Sequence, residues 1–224
     1  MLTKYGLSNI IVMLGVSLVL ILASYLIGNR WISYPLAALG VLLAVFTFWF
    51  FRDPEREVPP EVIKDISLVV SPADGKVVEI VRENEPNYIK DEVIRISIFL
   101  SPLDVHVNRA PISGTVEYFD YKAGDYLVAY HPKSSEKNEQ THIGMKNNAG
   151  KIFFKQIVGI MARRLAWDIK QGDHLMAGQR FGMMKFGSRM DVMVDPASDV
   201  FVKIGDKVTA AETIIAQMKS SANQ

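Results

Sequence analysis

Ile169-Lys170-Gln171-Gly172-Asp173-His174-Leu175-Met176-Ala177-Gly178-Gln179-Arg180-Phe181 returns 33 residues later as Val202-Lys203-Ile204-Gly205-Asp206-Lys207-Val208-Thr209-Ala210-Ala211-Glu212-Thr213-Ile214. Lys170/Lys203, Gly172/Gly205, Asp173/Asp206 and Ala177/Ala210 are identical between the copies. Each copy reads as strand, Gly-Asp turn, strand. Outward from the repeat, short runs rich in Val, Ile and Phe recur between Gly, Pro, Asp and Asn: Leu68–Ser71, Lys76–Val81, Val93–Leu100, Thr115–Tyr121, Lys151–Val158 and Arg189–Val194. Only Gly159–Ile169 offers a helical alternative. The expected domain is mainly β, with a closed or sandwiched sheet. Between the two copies lies Gly187-Ser188.

The chain before this domain has a different character. Leu7 to Gly28 carries no charge, and neither does Trp31 to Phe51. Each run is long enough to cross a hydrocarbon core of about 30 Å as a helix. Gly28-Asn29-Arg30 leaves room only for a tight turn, so residues 1–51 are expected to form an antiparallel helical hairpin that anchors the chain in a membrane. Met1 to about Ser24 also has the charged start and apolar centre of a signal peptide, but it has no small-x-small cleavage site and a second apolar run follows at once. Lys4, Arg52 and Arg56 at the ends, against Arg30 in the turn, place both ends on the cytoplasmic side of the cell membrane. Trp31, Tyr34 and Trp49 suit the interface or the packing between helices.

Charge and composition exclude several classes. The 224 residues carry a net charge of +1, with 25 Lys and Arg against 24 Asp and Glu. Lys4 and Arg30 are the charged residues of 1–51, so 23 basic residues face 24 acidic ones over 52–224, a net −1. Nucleic acid is therefore not an expected partner. Cys is 0, which removes disulfides, thiolate metal sites and cysteine nucleophiles. The four histidines, His106, His131, His142 and His174, show no His-x-x-x-His spacing, and no metal is expected.

Three features can carry chemistry. Gly187-Ser188 is a step at which a chain can cut itself: the hydroxyl attacks the preceding carbonyl, the amide becomes an ester, and elimination leaves a ketone. It is also an ordinary turn dipeptide. Ser71-Pro72-Ala73-Asp74-Gly75-Lys76 puts an acid in a tight turn, usually for architectural reasons. Leu100-Ser101-Pro102-Leu103-Asp104-Val105-His106-Val107-Asn108-Arg109-Ala110-Pro111 crowds Asp, His, Asn and Arg between prolines. If Val105 and Val107 face the core, His106 and Asn108 turn the other way together, which makes His106 the acid–base candidate.

The wording of the repeat resembles lipoyl- and biotinyl-like barrel-sandwich domains, in which a modified lysine sits on a hairpin between two halves. A wider set of motifs, Phe50–Arg56, Ser71–Gly75, Ser101–His106, Asn138-Glu139, Gln156–Arg164 and Phe186-Gly187-Ser188, resembles phosphatidylserine decarboxylase, and within it the short bacterial and archaeal-type branch. The resemblance runs in order from about residue 50 to the C-terminus. It implies a barrel-sandwich catalytic domain over 52–224, cleaved by its own action between Gly187 and Ser188. The chain to 187 would keep the anchor. The chain 188–224 would begin with a pyruvoyl cofactor made from Ser188, and the two would stay together as a heterodimer, with higher oligomers left open. The substrate implied is a membrane phospholipid. Phosphatidylserine would form a Schiff base with the pyruvoyl group, lose CO2 and leave as phosphatidylethanolamine. The resemblance assigns Asp74 to the activation of Ser188 and His106 to decarboxylation. Longer members have a second histidine where this chain has Arg109, and arginine is a poor base. Gln140 stands where many relatives have Arg, so Asn138-Glu139 is given no role. Arg163 and Arg164 are candidates for a lipid phosphate or for plain solvation.

Alternatives remain. Archaetidylserine carries the same headgroup. A non-enzymatic membrane adaptor with a barrel-sandwich domain accounts for the hairpin and the repeat but not for Asp74, His106 and Ser188. A membrane serine hydrolase would use those three as a triad, yet the chain lacks a Gly-x-Ser-x-Gly elbow.

Overall fold

The computed structural model describes residues 1–125, 138–159, 165–184 and 188–219. Two compact units divide between Glu55 and Arg56. The first holds α1 (Leu7–Leu26) and α2 (Arg30–Phe50), two helices long and apolar enough to cross a membrane. Asn29 caps α2 by accepting from Trp31 N at 3.0 Å, which fixes the turn between them. Gly40 lets the helices close: Ser17 Oγ donates to its carbonyl at 2.7 Å, and a Cβ there would overlap Ser17 and Ile21. Residues 52–55 run with this unit because Thr3 N donates to Phe51 O and Asp53 N to Met1 O.

The second unit is β. After a short helix, α3 (Pro60–Lys64), come β1 (Leu68–Val70), β2 (Gly75–Glu85), β3 (Asp91–Leu100), β4 (Val107–Arg109), β5 (Gly114–Lys122), β6 (Gln140–Asn147) and β7 (Gly150–Ile157). They are followed by β8 (Leu165–Trp167), β9 (His174–Leu175), β10 (Arg180–Met184), β11 (Ser188–Val194), β12 (Asp199–Val200), β13 (Lys207–Val208) and β14 (Ile214–Gln217). Eight strands form one curled sheet, a half-barrel, in the order β13-β2-β3-β11-β7-β6-β5-β9. Two three-stranded sheets, β1-β14-β12 and β4-β10-β8, complete the unit. The helical alternative over Gly159–Ile169 gives way at its described end, where β8 pairs with β10; residues 160–164 lie outside the described residues.

The repeat closes both ends of the large sheet. β9 and β13, the second strands of its two copies, are the sheet's end strands. Val116 N donates to Asp173 O and Gly172 N to Val116 O, each at 2.8 Å; Val77 N donates to Asp206 O at 2.9 Å and Gly205 N to Val77 O at 2.8 Å. Gly172 and Gly205 have φ of +95° and +102°, the left-handed conformation that glycine adopts without penalty. Each turn docks where its partner strand bulges, after Val116 in β5 and after Val77 in β2.

A second repeat, offset by 39, emerges from these bonds: Ser71-Pro-Ala-Asp-Gly-Lys-Val against Ala110-Pro-Ile-Ser-Gly-Thr-Val. Val70 N donates to Pro111 O, and Arg109 N to Pro72 O, both at 2.9 Å. The unit is thus two similar halves, β13-β2-β3-β11 and β9-β5-β6-β7, related by a pseudo-two-fold between β11 and β7. Alternate residues such as Ile96, Ile98, Ile143, Phe154, Met190 and Val192 fill the inner face.

Candidate active site

Ser188 opens β11, opposite Leu100 of β3. It is two residues before Met190 on the inner face, and it is fully buried. Its Oγ has no hydrogen-bond partner among the described residues. An orphaned hydroxyl in a core costs about 1–3 kcal/mol, so its retention calls for a chemical reason. Gly187, on the other side of the expected cleavage point, lies outside the described residues, as do Arg163, Arg164 and His131.

His106 sits between β3 and β4 and is also fully buried. β4 pairs with β10, and His106 O accepts from Met184 N at 3.1 Å. Met184 is four residues before Ser188, a span of at most about 14 Å, so the pairing holds His106 close to the serine. Val105, His106, Val107 and Asn108 are all buried, because β4 is covered on both sides. Asp74 precedes β2. Its Oδ2 accepts from Arg56 Nη2 at 2.7 Å and its Oδ1 from Ala210 N at 2.9 Å. Since Lys76 lies opposite Phe99 and Ser188 opposite Leu100, Asp74 and Ser188 flank the same end of β3. Two interstrand spacings, about 10 Å, separate their backbones.

The other histidines stand elsewhere. His142 is opposite Lys155 and Asp120 on the outer face, with Nε2 2.9 Å from Gln140 Oε1. Burial, then the charges of Lys155 and Lys122, push its pKa down to about 3, so it stays neutral. His174 is exposed on β9. Among the described histidines, His106 is therefore the one on the side of Ser188. Arg109 is built into the frame: its Nη1 donates to Gly178 O at 3.0 Å.

An ion network locks β11 from the outer face. Arg189 Nε donates to Asp191 Oδ1 at 2.6 Å, and its Nη2 to Glu79 Oε2 at 2.7 Å and Ser97 Oγ at 2.6 Å. Arg95 Nη1 joins at Glu79 Oε2, 2.8 Å away. Burial alone would raise the Asp191 pKa, but Arg189 and Arg95 outweigh it and hold the group below its usual value. The end of β7 is pinned beside Ser188 by Asn138, whose Nδ2 donates to Val158 O at 2.7 Å.

Thr141 and Gln156 carry no individual role in the sequence reading, and Asn108 enters it only as the neighbour of His106. Thr141 Oγ1 donates to Gln156 Oε1 at 2.8 Å, and Gln156 Nε2 donates to Asn108 Oδ1 at 2.8 Å. The signal lay in β7: Ile152, Phe154 and Gln156 share the inner face, and glutamine is the odd member.

The family model for phosphatidylserine decarboxylase matches residues 43–216. A phosphatidylserine decarboxylase proenzyme of Salinibacter ruber is 48% identical over 82% of this chain and 81% of its own length. Proenzymes of the same name from Amoebophilus asiaticus and Chlorobium phaeovibrioides are 43% and 39% identical, covering 95% and 99% of both chains. The chain belongs to the phosphatidylserine decarboxylase family.

Proposed function

We propose that the chain is the precursor of a pyruvoyl-dependent carboxy-lyase that converts phosphatidylserine to phosphatidylethanolamine and CO2. The observation that carries this reading is the buried Ser188 hydroxyl at the start of a central strand, without a hydrogen-bond partner among the described residues. The relatives' shared name, proenzyme, agrees with a chain that must be processed.

The processing step balances without an external reagent until its end. Ser188 Oγ bonds to the carbonyl carbon of residue 187 and gives up its proton. The C–N bond breaks, nitrogen takes a proton, and an ester remains. Loss of the Ser188 α-proton expels the ester oxygen, so that residue 187 ends in a carboxylate. The resulting dehydroalanine tautomerises, and water releases ammonia and leaves pyruvoyl at position 188. Asp74 and His106 stand at the same end of the sheet, Asp74 to serve the activation of Ser188 in processing and His106 to move a proton on the substrate in decarboxylation. Once formed, the pyruvoyl group supplies an electron sink for the bond pair left by CO2.

The architecture suits that outcome. β11 pairs along its length with β3, and its residues 189–193 pair with β7; β14 pairs with β1, so a chain beginning at 188 stays bound to the one ending at 187 as a heterodimer. The apolar hairpin keeps the domain at the cytoplasmic face of a membrane, where the lipid substrate resides. The test is a denaturing mass spectrum of the full chain beside Ser188→Ala. Wild type should split after Gly187, with pyruvoyl opening the small fragment, while the variant stays whole. Wild type that stays at full length with an unmodified Ser188 rejects the proposal.

A further inference from the structure

A buried carboxylate stands in the same row as Ser188. Met190, Gln156 and Thr141 form one cross-strand row on the inner face of β11, β7 and β6, where Thr141 Oγ1 and Gln156 Oε1 meet at 2.8 Å. Arg189, Ile157 and Gln140 form the next row. That row faces out: Arg189 joins the outer ion network, and Gln140 meets His142. Alternation returns the following row, Ser188, Val158 and Glu139, to the inner face. Val158 N donates to Glu139 O at 3.1 Å, which carries the pairing into that row. Ser188 and Glu139 are therefore two strand spacings apart, about 10 Å between backbones, with their side chains on one side of the sheet.

Glu139 is 7% exposed. The Tyr121 hydroxyl donates to its Oε1 at 3.0 Å, and among the described residues no Lys, Arg or His pairs with it. A carboxylate this deep is ordinarily matched by a positive charge. The pseudo-two-fold shows which charge is missing. Tyr121 lies opposite Thr141 as Arg82 lies opposite Ile94, so Tyr121 corresponds to Arg82 and Glu139 to Glu92. Arg82 Nη1 and Glu92 Oε2 form an exposed ion pair at 3.5 Å. One half of the domain thus gives its glutamate a guanidinium. The other half buries the glutamate and sets a phenol in place of the guanidinium, with the ring stacked on Trp167 of β8 at 5.4 Å. The anion is kept and its internal cation is gone.

We infer that Glu139 receives the ammonium group of the serine headgroup, the one cation that phosphatidylserine carries, and holds the substrate amine in the row of position 188. This rests on the decarboxylase reading above. The Tyr121 hydroxyl orients the carboxylate through Oε1 and leaves Oε2 to accept from the ammonium, a charge-assisted hydrogen bond. Glu139 is then a specificity residue: it favours headgroups that bring an amine over those that bring only phosphate or carboxylate.

The experiment uses full-length, processed protein in detergent micelles, with its ketone first reduced by borohydride so that no lipid is turned over. Titration calorimetry compares short-chain phosphatidylserine with the same lipid carrying hydroxypropionate in place of serine, which keeps the carboxylate and lacks the ammonium. Wild type should bind phosphatidylserine about 10–100-fold more tightly, the range of one hydrogen bond to a charged group. Glu139→Gln should bind the two lipids alike. Tyr121→Arg rebuilds the ion pair of the other half around an intact Glu139, and it should lose the preference too. Glu139→Asp keeps the charge on a shorter arm and should retain part of it. Processed wild type that binds both lipids alike, or a full preference in Glu139→Gln, overturns this inference and leaves the decarboxylase reading standing. A wild-type chain that never cleaves, or that binds neither lipid, removes that reading and this inference with it.

Discussion

Asp74 has a counterpart that separates its two roles. Under the offset of 39, Asp74 corresponds to Ser113, and the backbone donors correspond too: Asp74 Oδ1 accepts from Ala210 N and Ser113 Oγ from Ala177 N, both at 2.9 Å. Serine therefore performs the structural task in the other half. Asp74→Ser should keep that cap, worth about 1 kcal/mol, which Asp74→Ala loses. Both variants lose the ion pair to Arg56, whose partners are each 16% exposed in their side chains. Arg56 retains Glu212 at 3.6 Å and is not left as a lone buried charge. The pair then contributes about 1–2 kcal/mol, between the values for exposed and buried bridges. Asp74→Ser should cost about 1–2 kcal/mol and Asp74→Ala about 2–3. In a chain of this size the difference of roughly 1 kcal/mol is about 2–4 °C in melting temperature. Melts are compared in the full-length Ser188→Ala background, so that every sample is uncleaved. Processing is then timed with Ser188 restored, where Asp74→Ser should fold and fail to cleave. Equal melting temperatures for the serine and alanine variants refute the symmetry argument. Wild-type cleavage in Asp74→Ser refutes a role for the carboxylate.

Three further outcomes are expected, each read on the same uncleaved background. His142 is neutral when folded, with a pKa of about 3. Between about pH 6.5 and that value the unfolded chain binds a proton that the folded chain does not, so stability falls with pH by at most about 5 kcal/mol. His142→Gln should flatten the decline in melting temperature between pH 7 and pH 4, and an unchanged slope counts against it. Gly178 has φ +77°, and a Cβ there would overlap Val58 Cγ2 and approach Ala211 Cβ to 3.0 Å. Gly178→Ala should cost about 2–4 kcal/mol from left-handed strain and overpacking, and a loss below about 1 kcal/mol in chemical unfolding would refute the packing argument. Asp191→Ala leaves Arg189 and Arg95 buried with fewer partners and should cost about 3–5 kcal/mol. A melting temperature equal to that of the background would show that the remaining partners, Glu79, Glu83 and Ser97, suffice.

The strands were legible because burial on one face imposes Val, Ile and Phe at alternate positions, as in Arg189–Val194. The 33-residue repeat was legible because Gly172 and Gly205 need positive φ and Asp173 and Asp206 accept from the backbone of Lys170 and Lys203, which leaves little freedom of residue type. The 39-residue repeat was not, since only Pro, Gly and Val survive in its seven positions. Its constraint is a set of backbone bonds that almost any side chain allows. Gly159–Ile169 misled because Leu165–Trp167 is three residues long and owes its strand state to β10. Asp74 and Ser188 were found separately, but their approach around β3 depends on register, which no local pattern encodes.

The same symmetry accounts for where the chain is expected to be cut. In one half, β6 runs into β7 through a tight turn: Asn147 lies opposite Gly150, and Asn147 Oδ1 accepts from Ala149 N at 2.8 Å and Gly150 N at 3.2 Å. The corresponding strands of the other half are β3 and β11, with Leu100 opposite Ser188. Ser188 thus occupies the place held by Gly150, the first residue after a hairpin turn. Here no turn joins the strands, because residues 101–187 intervene. Backbone pairing on both sides of β11 begins at Ser188 or Arg189 and continues to residue 193 or 194. Scission before Ser188 would leave the ladder from Arg189 onward in place. It would free a chain terminus at a sheet end where the fold tolerates a break, and it would do so next to the buried hydroxyl. A nucleophile placed mid-strand would have to disrupt the ladder to reach its own carbonyl. One placed at the first paired residue can use the rigid sheet to hold its side chain while the bond behind it breaks.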